Sequence, residues 1–184
     1  LLALKWLGRE DAPLLWRLRA DPAQWSWGLR FLRECTTARA RANLGAIVRT
    51  ADAAGVDGVI LIGQCCDPFS VEAVRATMGS LFAMPLVETE FADFNAWRKK
   101  AGARMLAASM RGAHAHDKAT YGQRSVVLMG NEQAGLPVEV EAECDELVRI
   151  PMMGAADSLN LASAASVMIY EVWRSQGYAG ARRQ

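Results

Sequence analysis

The chain is poor in the residues and patterns that mark several common classes of protein. It has four cysteines and two histidines among 184 residues, with no C-x-x-C pair. We therefore expect reduced thiols, no metal site and a cytoplasmic location. No apolar run approaches the roughly 18 residues that a membrane span needs, so we expect no membrane-embedded segment.

Three familiar glycine motifs are also missing. The sequence contains no G-x-G-x-x-G, no G-x-x-x-x-G-K-[S/T] and no G-x-S-x-G. The usual signatures of dinucleotide binding, of phosphate loops and of serine-hydrolase elbows are thus absent. An oxidoreductase on a Rossmann-like sheet remains an alternative, but without its glycine fingerprint.

Positive charge and tryptophan are concentrated at one end of the chain. Residues 1–42 carry eight Lys/Arg against four acids and four of the six tryptophans, while the whole chain has a net charge of +1. Arginine interleaved with tryptophan suits RNA backbones and bases, although we favour a short helical subdomain with solvated arginines. We expect residues 1–42 to be a short basic segment and residues 43–184 to form the main domain. In one interpretation, the basic segment is the remnant of a truncated substrate-binding region.

After residue 42, helical and strand patterns alternate, which predicts a mostly parallel sheet flanked by helices on both faces. The apolar runs between glycines are typical of strands buried on both faces. The segment 112–122 resembles a loop. The predicted helices span residues 43–54, 70–77, 91–101, 137–144 and 159–176, and the predicted strands span 58–63, 84–87, 105–109, 125–130 and 147–150.

Polar side chains follow a predicted strand at residues 130–137. Ligands of open α/β sheets bind beyond the carboxyl ends of strands. Gly130 lets the backbone approach a ligand closely, and Gly135 permits a tight turn. Glu132 is the acid of this turn. It either orients an arginine or a substrate hydroxyl, or is an ordinary solvated glutamate.

A second group of candidates lies on the first predicted helix. Asn43 is placed to cap that helix. Arg49 lies nearly opposite the helix's apolar stripe, so it is not a core residue. It is either a solvated surface arginine or a cleft arginine whose planar fork binds a phosphate.

The third group joins the last strand to the last helix. Ser158 is a candidate cap for the last helix, and Asn160 offers both a donor and an acceptor off the core stripe. Ile150, Met152 and Leu159 offer backbone groups and an apolar lining. Such a lining suits a purine ring and a methionine-like chain better than a highly charged ligand.

Three segments together resemble the motifs of the SpoU (TrmH) family of RNA ribose 2′-O-methyltransferases, in the SPOUT superfamily. They are Asn-Leu-Gly-Ala-Ile-Val-Arg-Thr-Ala (43–51), Leu-Met-Gly-Asn-Glu-Gln-Ala-Gly-Leu (128–136) and Ile-Pro-Met…Ser-Leu-Asn-Leu-Ala-Ser-Ala…Tyr-Glu (150–171). The match covers roughly residues 43–176, in the family's order and spacing. Three motifs in order are far more specific than any one alone.

The resemblance implies a parallel α/β sheet whose C-terminal part forms a deep trefoil knot, and a homodimer through the knot region. It implies S-adenosylmethionine as methyl donor and structured RNA, rRNA or tRNA, as substrate. Residues 43–184 would be the methyltransferase domain. The implied donor-binding residues are Gly130, Ile150, Met152, Leu159 and Asn160, and the implied catalytic set is Arg49, Asn43, Glu132, Ser158 and Asn160.

One departure from the family concerns the segment before the first motif. The family has a strand ending in an Asp-Pro-like pair there, whereas this chain has Arg39-Ala40-Arg41-Ala42. Residues 28–35 are a poor candidate for that strand. The alternative function is therefore a catalytically impaired knotted module that binds RNA without methylating it.

Overall fold

The computed structural model describes residues 2–6, 37–131 and 134–182, in which helices alternate with strands. The strands are β1 (Leu2–Trp6), β2 (Gly58–Ile62), β3 (Leu86–Thr89), β4 (Arg104–Ala108), β5 (His114–Ala115), β6 (Ser125–Met129) and β7 (Glu146–Arg149). The helices are α1 (Ala38–Ala53), α2 (Val71–Thr77), α3 (Phe91–Lys100), α4 (Val138–Ala142) and α5 (Leu161–Ser175), with 3-10 turns at Ser80–Phe82 and His116–Lys118.

The strands form one seven-stranded sheet in the order β3-β2-β1-β6-β4-β7-β5. Within the β3-β2 group and within the β6-β4-β7-β5 group, neighbouring strands run parallel to each other, as the alternating pattern predicts. Strand β1 runs antiparallel to both of its neighbours, pairing Leu2 with Leu61 of β2 and with Met129 of β6. The prediction of a mostly parallel α/β sheet is confirmed, and the central antiparallel strand is an addition that the pattern did not indicate.

Alternate residues of the central strands serve two separate cores. Val127 of β6 packs with α1 and α5 on one face of the sheet. Val126 packs with Phe94 of α3 and Val140 of α4 on the other. All five residues of β2 and all five of β6 are buried, which is why their sequences are continuously apolar.

Several predicted boundaries needed correction. Helix α1 begins five residues before Asn43, because the run of alanine and arginine from residue 38 favours helix. Its N-cap is Thr37, whose Oγ1 accepts from the Ala40 amide at 3.2 Å. Asn43 is therefore a buried residue within the helix and not its cap. The predicted loop 112–122 also contains β5 and a 3-10 turn.

Some predictions fall outside the described residues. Glu132 is one of these, and so are the candidate strand at 28–35 and the tryptophans at positions 16, 25 and 27. Within the described ranges, no helix is long and apolar enough to cross a membrane.

Candidate functional site

A cavity of about 450 Å³ opens at the carboxyl ends of β4, β6 and β7. Its size is in the range of pockets for small organic ligands. Three chain segments form most of its wall, each at the end of one of these strands: residues 108–111, the described residues of 129–136, and residues 149–159. The start of α5 contributes Leu161 and Ala164. The cavity thus lies where the second and third motif-like segments meet.

The turn after β6 forms a tight wall of the cavity. The Asn131 amide donates to the Gly135 carbonyl at 3.1 Å, and the Gly135 amide donates back at 2.9 Å. Gly135 has a φ of 66°, a value that favours glycine. A Cβ on Gly130 would lie 2.4 Å from the Gly135 carbonyl carbon. Gly130 is therefore required by the turn itself, in addition to any approach by a ligand.

The segment after β7 supplies another wall of the cavity. Residues 151–159 are all exposed, although Met152 and Leu159 both line the cavity. Met129, Leu136 and Ile150 add further apolar surface. Most lining residues are apolar or glycine, and the charged ones are Arg111, Glu141, Arg149 and Asp157. The cavity therefore suits a largely apolar ligand that carries some polar groups.

The structure brings most of the sequence-predicted ligand residues together. The predicted residues that line the cavity are Gly130, Ile150, Met152, Ser158 and Leu159. Asn160, Asn43 and Arg49 do not line it, and Glu132 lies outside the described residues.

Asn160 joins the cavity wall to α1. It is the N-cap of α5, accepting from the Ala162 amide at 2.9 Å, which corrects the expectation that Ser158 caps this helix. Its amide nitrogen donates to Oδ1 of the buried Asn43 at 3.1 Å. The first and third motif-like segments are thus linked directly through two side-chain amides.

Arg49 lies six residues beyond Asn43 on α1 and is exposed. In the part of the chain that the structure describes, its guanidinium makes no hydrogen bond or ion pair. The next residue, Thr50, has its hydroxyl 3.3 Å from the hydroxyl of Ser166 on α5. The Asn43–Asn160 and Thr50–Ser166 contacts therefore join α1 to α5, one before and one after Arg49 in sequence. An exposed arginine on a fixed helix is suited to binding an anion.

One polar cluster at the cavity was missed by the sequence reasoning. The buried carboxylate of Glu141 accepts from the Ser109 hydroxyl at 2.7 Å and from Nε of Arg111 at 2.8 Å. Burial raises the pKa of Glu141, but the hydrogen bonds from Arg111 and Ser109 outweigh it and hold the pKa below its usual range. These residues lie about thirty positions apart, and no local pattern pairs them.

Metal ligands are scarce at this site. Among residues 37–131 and 134–182, no group of three or more His, Cys, Asp or Glu side chains is placed to hold a metal ion.

The fold and cavity define a class: an α/β protein with a cavity at the carboxyl ends of parallel strands, where ligands of open α/β sheets bind. A model of the SpoU rRNA Methylase family matches residues 35–170, well over half of the chain. The chain belongs to the SpoU family, which confirms the family resemblance seen in its three motifs.

Individual relatives support this assignment. The chain is 36% identical over 143 residues to the 23S rRNA (uridine(2479)-2′-O)-methyltransferase of Streptomyces viridochromogenes, covering 73% of this chain and 49% of that protein. It is 30% identical over 130 residues to the 23S rRNA (guanosine(2553)-2′-O)-methyltransferase of Bacillus subtilis, covering 71% of this chain and 52% of that protein. The chain thus spans about half the length of these curated relatives.

A solved structure gives the same result for the fold. The AdoMet-bound rRNA methyltransferase from Sinorhizobium meliloti is 49% identical, with a TM-score of 0.71, over 73% of this chain and 52% of that one. A different, short match of 48 residues is 73% identical to a D-amino acid dehydrogenase of Dechloromonas aromatica. Because it covers 26% of this chain and 12% of that protein, it does not define the chain's family.

Proposed function

We propose that residues 43–184 are the catalytic domain of an RNA ribose 2′-O-methyltransferase that uses S-adenosylmethionine. The observation that carries this proposal is the cavity, because the second and third family motifs both supply its wall. The first motif is attached to that wall through the Asn43–Asn160 bond of 3.1 Å.

The volume of about 450 Å³ and the largely apolar lining of the cavity are consistent with this donor. Backbone groups of Gly130, Ile150 and Leu159 would bind the adenine edge and the ribose, and the side chain of Met152 would contact an apolar face. Asn160 does not line the cavity, and it would act by fixing the start of α5, which it caps. When bound there, S-adenosylmethionine supplies an electrophilic methyl group.

Arg49 is our candidate for the residue that acts on the RNA. Its exposed guanidinium can bind the phosphate beside the target ribose in a bidentate manner. It would thereby position the 2′-hydroxyl and stabilise the negative charge that develops as the hydroxyl loses its proton. Ser158 at the cavity wall and Glu132 in the turn after β6 complete the proposed polar site, Glu132 by motif position alone.

Family membership and local geometry support two further parts of the proposal. We infer that the segments around the cavity form the family's trefoil knot. The close packing at Gly112 supports this, since a Cβ there would lie 2.3 Å from the Val148 carbonyl carbon. We also infer a homodimer through this region, because the apolar side chain of Met153 is fully exposed beside the cavity wall. Light scattering would measure the dimer.

The proposed substrate is structured ribosomal or transfer RNA in the cytoplasm. One relative of comparable similarity is named for a uridine and the other for a guanosine, so membership of the family does not determine which nucleotide is methylated. A ribose turned out of a loop would present its hydroxyl to Arg49.

Methyl transfer from labelled S-adenosylmethionine to purified rRNA and tRNA tests the proposal. We expect Arg49→Ala to lower the transfer rate at least about 100-fold. Because Arg49 does not line the cavity, donor affinity measured by calorimetry should stay within about twofold. Lys100→Ala is the control, since it removes an exposed charge from α3 on the other face of the sheet.

The outcomes separate the two candidate functions. Donor binding without transfer to either RNA would favour the RNA-binding module, and absence of donor binding would contradict the enzyme. Full activity of Arg49→Ala would contradict the role assigned to that arginine.

A further inference from the structure

The Glu141 cluster connects two walls of the cavity that are distant in sequence. Ser109 and Arg111 belong to the segment after β4, and both bond to the Glu141 carboxylate. Arg111 also donates through Nη2 to the Leu136 carbonyl, in the segment after β6, at 3.2 Å. Ser109, Arg111, Leu136 and Glu141 all line the cavity. One carboxylate and one guanidinium thus hold these two walls at a fixed separation.

Stability alone is a poor reason for an ion pair at this place. The Glu141 side chain is 7% exposed, whereas that of Arg111 is 57% exposed. Taking a carboxylate out of water is costly, and an ion pair with a largely exposed partner usually contributes little to the free energy of unfolding. The directional bonds of the pair, in contrast, define the distance between the two loops, which an apolar contact would not do.

We infer that Glu141 and Arg111 are positioning residues for the methyl donor: their pairing sets the width of the cavity. This inference rests on the proposed function and extends it to two residues outside the three motifs. The residues do not need to touch the donor, since they act by holding the backbone groups around positions 109 and 136. Loss of the pair should therefore weaken donor binding more than it slows transfer from a saturated enzyme.

The chain contains a matched control pair. On α5, Glu171 is also a buried carboxylate, with an 8% exposed side chain beside the 51% exposed side chain of Arg174. Its bonds to Arg174 measure 2.8 and 2.7 Å, close to the distances at Glu141. Neither Glu171 nor Arg174 lines the cavity. The two pairs are similar in chemistry and burial. They differ in that Glu171 and Arg174 lie three residues apart on one helix away from the cavity, whereas Glu141 and Arg111 join two distant segments at the cavity.

The test compares Glu141→Gln with Glu171→Gln in the full chain. Calorimetric titration with S-adenosylmethionine gives the dissociation constant, and transfer to RNA at varied donor gives KM and kcat. For Glu141→Gln we expect the dissociation constant and the donor KM to rise about tenfold, with kcat within about threefold. For Glu171→Gln both should stay within about twofold. Thermal unfolding of both variants confirms that each is folded.

Arg111→Gln provides a second route if Glu141→Gln does not fold. It should weaken donor binding to the same degree, and the double variant should be no weaker than either single one, since both changes break the same contact. Wild-type affinity in Glu141→Gln or in Arg111→Gln would overturn the inference, and so would equal losses in the Glu141 and Glu171 variants. Failure of the wild-type protein to bind the donor would instead overturn the proposed function, and the inference with it.

Discussion

Replacing Gly130 by alanine should damage both the fold and the cavity. The new Cβ would lie 2.4 Å from the carbonyl carbon and 2.5 Å from the carbonyl oxygen of Gly135. Both are backbone atoms of a tight turn, so no flexible side chain can move aside. Overpacking of this kind costs about 1–3 kcal/mol. The two backbone hydrogen bonds between Asn131 and Gly135 would be strained as well, at about 1 kcal/mol each.

We therefore expect Gly130→Ala to lower the free energy of unfolding by about 3 kcal/mol. For a chain of this length that corresponds to a fall in melting temperature of roughly 6–12 °C. Differential scanning calorimetry or urea unfolding measures the change. Gly154→Ala is the matched control, because nothing lies within 4 Å of its Cβ position, and its effect should stay within about 0.5 kcal/mol. Equal melting temperatures for the two variants would refute the reasoning.

Three further outcomes are expected. Asn160→Ala removes the α5 cap and the side-chain hydrogen bond to α1, so it should lower the free energy of unfolding, measured in urea, by about 2 kcal/mol. Ser158→Ala should lower it by less than about 0.5 kcal/mol, and equal losses would contradict the capping assignment. The pKa of Glu141 is held below that of an unfolded glutamate, so the stabilisation that its ionised form contributes is present above the unfolded pKa and is lost as pH falls through the folded pKa. Urea midpoints of the wild type should hence fall more steeply on acidification than those of Glu141→Gln, and parallel curves would argue against this. Burial raises the pKa of Cys144 to about 12, so its thiol should resist alkylation at pH 8 until the protein is unfolded. Peptide mass spectrometry measures the extent of alkylation, and rapid labelling of the native protein would contradict the prediction.

Much of the fold was predictable because buried parallel strands have an unusual composition. Val-Ile-Leu-Ile in β2 and Val-Val-Leu-Met in β6 are continuously apolar, and the structure buries every residue of both strands. Gly55 has the left-handed φ of 69° expected after the end of α1. Periodicity does not carry strand direction, however, and the antiparallel course of β1 could not be predicted from it.

The candidate site was predictable to the extent that it is local in sequence. Gly130, Ile150 and Leu159 were selected from segments that follow strands, and they line the same cavity. The prediction that Asn43 caps the first helix was wrong. An asparagine before an apolar stripe resembles a cap, but here the helix begins earlier, at Ala38. The bond between Arg111 and Glu141 depends on the packing of two distant loops, which leaves no spacing to detect.

Strand β1 has a consequence for the integrity of the sheet. Among the strands that the structure describes, β1 alone is hydrogen-bonded both to the β3-β2 group and to the β6-β4-β7-β5 group. It also lies before residue 35, where the family match begins. Removing it would give β2 and β6 an open inner edge each, and such edges are templates for pairing with other chains. A shortened chain that retains all three motifs should therefore be prone to aggregation through the middle of its sheet.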